Sequence, residues 1–385
     1  MTSIPLPQGM EQNKISLLLG HPDPQTLLTP ALRDTILRLM SSSQATSGLQ
    51  YGPEQGTSEL ISFLVEKINR EQGLLVRPEN LMIVAGSTHA VDMIARLYAG
   101  AGSTMLVEGP TYADALHIFR DQQINLHSIP MDLDGLIPDE LEKQVLRLRE
   151  QGTSPGILYT IPNFHNPTGS TLTETRRREI IQLARRYNFL IVEDDVYRDL
   201  SFAGRLPASF YALAEGEGVL SICSFSKTLA PGLRLGWLLG SEEAIQRFVN
   251  CGTSQMGGGA NPFASQIVAT YCQSGAWNEH VSRVTALYKS RCDVALAALE
   301  RWMPAGVSWT HPEGGFFIWV NLPQNIFARQ VKQQAFEAGV QVAAGDGFFV
   351  NPADGQHNLR LAFSCASLEE IEAGIRILAS VIADQ

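Results

Sequence analysis

From about residue 80, short runs of β-branched and apolar residues alternate with longer stretches whose apolar positions recur every three or four residues. The short runs suit strands and the longer periods suit amphipathic helices. Strands are expected at residues 81–85, 104–108, 126–129, 157–161 and 189–193, and helices at 87–98, 112–121, 139–151 and 174–187. Residues 219–224 and 233–240 read as paired strands around a turn. Strands separated by helices of this length imply right-handed crossovers and a mostly parallel sheet with helices on both faces. Beyond about residue 270 the rhythm changes. A long helical stretch at 277–303 precedes a strand at 315–320, a helix at 325–338, a strand at 359–364 and a last helix at 368–383. That order suits a separate α+β domain, with the long helix bridging the two parts.

Composition narrows the classes. At 385 residues the chain exceeds what one core usually supports, so two domains are expected. A net charge of -10 argues against a general nucleic-acid surface, which needs a concentrated basic patch. Arg176, Arg177, Arg178, Arg185 and Arg186 fall in a helical pattern and read as a solvated helix face. The five cysteines are odd in number and scattered, with no C-x-x-C pair and no zinc-like spacing to histidine. They suit the core of a reduced, cytoplasmic protein. Residues 1–14 are polar and lack the apolar core of a signal peptide, and no apolar run approaches the roughly 20 residues needed to span a bilayer.

Four segments carry chemistry. The sharpest is Ser224-Phe225-Ser226-Lys227-Thr228, followed by Ala230-Pro231-Gly232-Leu233-Arg234-Leu235-Gly236. A lysine that forms imines must lose its proton near neutral pH, which needs a desolvated or cationic setting. Ser224 and Ser226 can hydrogen-bond a phosphate, and Arg234 can neutralise it while depressing the lysine's pKa. An isolated S-x-S-K would be an ordinary solvated loop; the arginine and the other segments argue otherwise. Val192-Glu193-Asp194-Asp195-Val196-Tyr197 ends a predicted strand, and in open α/β sheets ligands sit at strand carboxyl ends. A carboxylate there can hold a pyridinium nitrogen protonated; a helix N-cap by Asp194 or Asp195 is the plainer alternative. Pro162-Asn163-Phe164-His165-Asn166-Pro167-Thr168-Gly169 also follows a strand, and Asn166 can offer its amide to a ligand hydroxyl. Alone it would be a β-to-α turn. In Val84-Ala85-Gly86-Ser87-Thr88-His89-Ala90 a strand runs into a helix, whose first N–H groups, with Ser87 and Thr88, can meet an anion. An N-capping serine on an ordinary helix is the competing account.

Together these segments set a phosphate site, a carboxylate, an amide and a lysine after successive strands of one sheet. The pattern resembles the class I/II aminotransferase family, the fold-type-I pyridoxal-phosphate (PLP) enzymes. It looks closest to the branch containing 2-aminoadipate and kynurenine/aromatic aminotransferases. The resemblance runs from about Leu17 to the end of the chain. Its carriers are Tyr51-Gly52-Pro53, Gly86-Ser87-Thr88, Gly109-Pro110-Thr111-Tyr112, Asn166-Pro167-Thr168-Gly169, Asp194-Asp195-Val196-Tyr197 and residues 224–236. Pro312-Glu313-Gly314-Gly315-Phe316 and Leu359-Arg360-Leu361 complete the set.

The resemblance implies an α/β, fold-type-I PLP transferase. A large domain at 41–275 would hold a mostly parallel seven-stranded sheet in α/β/α layers, and a smaller α+β domain would occupy 276–385. An N-terminal arm at 1–40 would contribute to the small domain. With pyridoxal 5'-phosphate as cofactor, Lys227 becomes the Schiff-base lysine and proton shuttle, and Asp194 pairs with the pyridine nitrogen. Tyr197 and Asn166 would contact the phenolic oxygen, and Tyr112 would stack on the ring. The Gly86-Ser87-Thr88 turn, Ser224, Ser226 and Arg234 would cradle the phosphate. Tyr51 would reach the phosphate of the neighbouring subunit, which makes a homodimer the expected unit. Arg360 would bind the substrate α-carboxylate as a bidentate fork.

Some positions depart from the pattern. Gly86-Ser87-Thr88-His89 stands where relatives often read G-S-Q-Q, and His165 replaces the usual glutamine before the N-P-T-G asparagine. That histidine either touches substrate or braces the turn. Residues 251–263 include Met256-Gly257-Gly258-Gly259-Ala260 but no arginine, where aspartate aminotransferases keep one for a distal carboxylate. The N-terminal arm lacks the extra helix that sorts side chains in 2-aminoadipate enzymes. The expected activity is ping-pong transfer of an amino group from an L-amino acid to a 2-oxo acid. A PLP-dependent carbon–sulfur β-lyase and a catalytically weak, ligand-sensing PLP-binding protein are the alternatives. The second is disfavoured by the lack of room for a winged helix ahead of Leu17.

Overall fold

The computed structural model describes residues 13–43 and 45–385; residues 1–12 of the expected arm, and residue 44, lie outside the described residues. After strand β1 (Ile15–Ser16), helices α1 (Pro30–Met40) and α2 (Ser58–Gln72) lead into the large sheet. Its first half is β2 (Leu81–Val84), α3 (Ser87–Ile94), β3 (Thr104–Gly109), α4 (Ala113–Asp121), β4 (Asn125–Asp132), β5 (Gly135–Leu136) and α5 (Pro138–Glu150). Its second half is β6 (Ile157–Thr160), α6 (Glu174–Tyr187), β7 (Leu190–Asp194), β8 (Val219–Ser224) and β9 (Gly236–Leu239).

The strand order is β2-β9-β8-β7-β6-β3-β4-β5. From β4 through β3, β6 and β7 to β8 the neighbours are parallel. The expected pair after residue 219 is β8 with β9, antiparallel, with Ser224 opposite Gly236. Seven strands are expected and eight are present. The extra one, β5, is a two-residue return from β4, turned where Asp132 Oδ1 accepts the Asp134 N–H at 2.8 Å. Parallel strands covered on both faces read as continuous apolar runs, and β6 (Ile-Leu-Tyr-Thr) is buried throughout. Alternate residues serve the two layers. Leu106, Leu158 and Ile191 pack with Leu64 and Ile180 on one side. Val107, Tyr159 and Val192 pack with Val91, Leu116 and Phe119 on the other.

The remaining elements are α7 (Glu242–Val249), α8 (Pro262–Gln273), α9 (Ala276–Trp302), β10 (Ser308–Trp309), β11 (Phe317–Asn321), α10 (Ala328–Glu337), β12 (Val340–Gln341), β13 (Ala343–Ala344), β14 (Asn358–Ala362) and α11 (Leu368–Ala383). Helices α7 and α8 pack into the cores on either side of the large sheet, and the elements from α9 onward build a second core around an antiparallel sheet of order β10-β11-β14-β13. Helix α9 joins the two cores. Trp277 packs under the large sheet, whereas Val284, Tyr288, Cys292 and Leu299 pack with Phe316, Ile318 and Leu378. Among the described residues no helix is long and apolar enough to cross a membrane.

The segment at residues 15–23 is tied to the second core. β1 runs parallel to β12, and Ala362 N–H donates to the Leu17 carbonyl at 2.8 Å. Asp23 is buried and ion-paired with Arg291 of α9 at 2.5 Å. Breaking such a pair by removing one partner typically costs about 3–5 kcal/mol, so this segment is firmly held where it passes the large sheet.

Candidate active site

At the carboxyl ends of β6, β7 and β8 a cleft encloses about 660 Å³ up to its open mouth. Its lining includes Ser87, Thr88, Tyr112, Asn166, Asp194, Tyr197, Ser226, Lys227 and Arg234. Nine residues singled out in four separate sequence segments and at Tyr112 therefore meet in one place, as the position of ligands in open α/β sheets requires.

Lys227 follows β8 and points its amine at the N-terminal segment, where Nζ donates to the Gly20 carbonyl at 3.0 Å. Nζ also lies 5.8 Å from the centre of the Tyr197 ring. Burial, and then the Arg360 charge, draw the lysine's pKa down to about 8, against the opposing pull of Asp194 and Asp114. A useful fraction of the amine is therefore uncharged near neutral pH.

The three consecutive acids of β7 are sorted by strand alternation. Glu193 faces one layer, accepting the Phe210 N–H at 2.9 Å. Asp195 faces the same way, held by Asn163 Nδ2 at 2.6 Å and Arg198 Nη1 at 3.1 Å. Asp194 alone turns to the cleft. Its Oδ2 accepts the Tyr159 hydroxyl at 2.6 Å. Its Oδ1 is buried without a hydrogen bond; the nearby Val196 N–H acts on the carboxylate but lies outside hydrogen-bond geometry. Burial pushes Asp194 up to about 6, with the Tyr159 hydrogen bond opposing and Asp195 adding to the rise. Neither Asp194 nor Asp195 caps the short helical turn that follows.

Arg360, in β14, lies opposite Trp319 of β11 and Ala343 of β13. Its guanidinium stacks 4.3 Å from the centre of the Phe317 ring and 4.8 Å from that of Phe348. Nη1 donates to Asn166 Oδ1 at 2.9 Å and Nη2 to the Leu18 carbonyl at 2.8 Å, while Nε is buried without a partner. Burial lowers its pKa to about 10, which leaves it cationic at neutral pH. A guanidinium only donates, so it fixes the Asn166 oxygen toward itself and leaves the amide NH2 to act as a donor.

At the opposite end Arg234 is exposed and reaches back to the Ala85 carbonyl at 3.2 Å. It thereby sits over the start of α3. Gly86 precedes that helix with φ +85°, and a Cβ there would lie 2.8 Å from Arg234 Nη2, so the turn needs glycine. Ser226 lines the cleft, but Ser224 stays behind it: its Oγ accepts the Ser226 N–H at 3.0 Å and lies 2.9 Å from Ser226 Oγ. His89 turns away as well, accepting the Ala85 N–H at 3.2 Å.

Tyr197 is buried in the cleft wall, edge-on to Phe316 and Phe317. Burial, partly offset by Arg360, keeps its phenol protonated as a donor. Tyr112 donates to Asp114 at 2.7 Å. His165 lies outside the cleft lining, 1% exposed, with Nε2 3.1 Å from Glu108 Oε2 and Nδ1 2.9 Å from Thr168 Oγ1. It braces the turn of residues 163–169 from behind. Tyr51 is 82% exposed and reaches nothing in this cleft; Leu49 and Met256 are exposed beside the same stretch. The glycine-rich loop packs there too, for a Cβ on Gly259 would lie 1.9 Å from the Pro53 carbonyl.

Two participants were not singled out from the sequence. His21 lines the cleft, its imidazole pKa lowered by burial, Lys227 and Arg360. Tyr159 stands behind Asp194. Gly-His-Pro-Asp-Pro reads as a turn, and only its long-range pairing brings His21 to the lysine; Tyr159 reads as a core aromatic.

The donors and acceptors fit pyridoxal phosphate. The partnerless Asp194 Oδ1 suits a protonated ring nitrogen, the exposed Arg234 with Ser87, Thr88 and Ser226 suits a phosphate, and the Lys227 amine suits an aldehyde. Comparison with known proteins agrees. The profile of the family described as aminotransferase class I and II matches residues 13–378. Aromatic-amino-acid aminotransferase 1 of Thermococcus litoralis is 34% identical over 371 residues, covering 96% of this chain and 88% of the relative. Kynurenine aminotransferase of Pyrococcus horikoshii, solved in complex with PMP, KYN and KYA, superposes with a TM-score of 0.92 at 34% identity, over 97% of this chain and 91% of that one. LysN, an alpha-aminoadipate aminotransferase of Thermus thermophilus solved with N-(5'-phosphopyridoxyl)-L-leucine, superposes with a TM-score of 0.87 at 30% identity, over 97% and 93%. The chain belongs to the aminotransferase class I and II family and is an enzyme of the pyridoxal-phosphate-dependent aminotransferase type.

Proposed function

We propose that the protein moves the amino group of an L-amino acid to a 2-oxo acid by a ping-pong mechanism, with Lys227 as the amine that carries the cofactor between turnovers. The observation that carries this reading is a lysine amine in the cleft whose pKa is drawn down to about 8, between the carboxylate of Asp194 and the guanidinium of Arg360. When bound, pyridoxal phosphate supplies an aldehyde that condenses with amines and a ring that takes up the electron pair left at Cα. Arg360 binds the donor's α-carboxylate with its fork and orients the Cα–H bond. Lys227, freed when the donor's amine takes its place, would accept the Cα proton on Nζ and serve as the base and proton carrier of the reaction. Asp194 holds the ring nitrogen protonated, the Asn166 amide and the Tyr197 hydroxyl donate to the phenolic oxygen, and Tyr112 covers the ring. Arg234, Ser87, Thr88 and Ser226 hold the phosphate at the start of α3, with Ser224 orienting Ser226.

The working unit in this reading is a homodimer in which Tyr51 reaches the neighbouring subunit's phosphate. Its support is the exposure of Tyr51 (82%) together with Leu49 (70%) and Met256 (91%) around one stretch of surface, an apolar set that a monomer gains nothing by exposing. The chain divides at about 41 and 276, and the scattered unpaired cysteines suit the cytoplasm.

Two outcomes are expected. Amine capture needs the neutral lysine, so the rate at which the apo-protein takes up pyridoxal phosphate rises by about tenfold per pH unit below about 8 and levels off above it. Absorbance stopped-flow follows this, and a rate flat from pH 6 to 8 would count against the assignment. With a panel of L-amino acids, 2-oxoglutarate or pyruvate as acceptor is required for turnover. Pyruvate and ammonia released without any acceptor would point to a carbon–sulfur β-lyase, and bound cofactor without turnover to a sensor.

A further inference from the structure

We infer that Tyr159 is a positioning residue for the cofactor's ring nitrogen, its buried hydroxyl fixing Asp194 so that a single carboxylate oxygen, Oδ1, is left for that nitrogen. The inference rests on the reading of Asp194 given above.

Tyr159 sits in the middle of β6, 1% exposed, between Val107 of β3 and Val192 of β7. Asp194 is two residues beyond Val192, so both side chains leave the sheet on the same face as diagonal neighbours. The Tyr159 ring is held edge-on against Phe119, with centres 5.3 Å apart at 73°. A ring so packed cannot swing, and its hydroxyl delivers one short O–H···O bond of 2.6 Å to Oδ2. Nothing in the packing calls for that hydroxyl, because phenylalanine would fill the same space. A buried hydroxyl is costly unless it is partnered, and here its partner is the one acid of β7 that faces the cleft.

The consequence is twofold. A carboxylate with one oxygen committed is restrained against rotation, which favours one direction for Oδ1. The donated hydrogen bond also favours the ionised acid, opposing the burial that favours the neutral one. The phenol itself, pushed well up by burial and by Asp194, remains a donor throughout the working range.

The test uses the full-length protein with added pyridoxal phosphate. Tyr159→Phe keeps the volume and removes the hydroxyl. Its dissociation constant for the cofactor is expected to rise about tenfold or more, the size of one hydrogen bond to a charged group. The absorbance maximum of the bound cofactor should shift and kcat fall, while KM for the amino donor, held at Arg360, stays unchanged. Asp194→Asn is measured beside it. If Asp194→Asn binds the cofactor like the wild type with an unaltered spectrum, the reading of Asp194 fails and takes this inference with it. If Asp194→Asn weakens binding while Tyr159→Phe changes neither affinity nor spectrum, only the role of Tyr159 is overturned. Should Tyr159→Phe not fold, 3-fluorotyrosine at position 159 keeps the shape and strengthens the donor. The affinity and spectral changes must then run opposite to those of Asp194→Asn, and unchanged values refute the inference.

Discussion

Replacing Lys227 with alanine lowers turnover by more than about 10⁴-fold, the upper end of what one proton-transferring group contributes. The loss is that large because, in the proposed mechanism, the same amine is asked to do two things. It carries the cofactor in an uncharged form, which its surroundings permit by drawing the pKa to about 8. It then moves the Cα proton, so one substitution removes both roles. Tyr197 is held protonated by burial and so serves as a donor rather than a base. Lys227→Arg is expected to be as inactive, since a guanidinium keeps its proton. Steady-state rates with the best donor, alongside a melting curve that shows the fold retained, check this. A variant within tenfold of the wild type would contradict it.

The second large effect is at Arg360. Arg360→Leu removes a cation that is buried between two aromatic rings and that, in the proposed mechanism, binds the substrate's α-carboxylate. Truncating one partner of a buried, hydrogen-bonded charge pair costs about 2–5 kcal/mol, so kcat/KM for amino acids should fall by roughly 30- to 5,000-fold. Because Nη1 also fixes the Asn166 oxygen, some of the loss appears in kcat. Arg360→Lys keeps the charge without the planar fork and falls between the two. The control is an amine substrate without a carboxylate. Its kcat/KM should be little changed in Arg360→Leu, and a loss as large as that for amino acids would mean that Arg360 acts on the fold or the cofactor instead.

The parts of the site legible in the sequence are those where one residue type has to stand at a strand's end. Lys227, Asp194 and Asn166 each follow a run of β-branched residues, and the strand ends of a parallel sheet converge without further information. The choice of Asp194 over Asp195 came from the resemblance alone, which sets the acid three residues before Tyr197; alternation along β7 is the physical reason that only one of the two faces the cleft. Tyr159 left a fainter signal: in a strand buried on both faces, a hydroxyl has to find a partner, yet nothing local says which. The contacts of residues 18–21 left none, since the carbonyls of Leu18 and Gly20 reach Arg360 and Lys227 across 342 and 207 residues of chain. Helices α1, α2 and α8, which pack on the large sheet, carry no expectation from the sequence reading either. The stretch before residue 80 holds few β-branched runs to set a rhythm. The two-residue β5 depends on a turn at Asp132 rather than on any apolar pattern, so an eighth strand could not be counted in advance.

The central claim is chemical: the amine at position 227 is the one joined to the cofactor. Borohydride reduction of the protein loaded with pyridoxal phosphate, followed by digestion and mass mapping, tests it directly. One phosphopyridoxyl group per chain, on the peptide containing Ser226-Lys227-Thr228, is the expected result. An adduct on any other lysine, or none at all after saturation with the cofactor, would contradict the account.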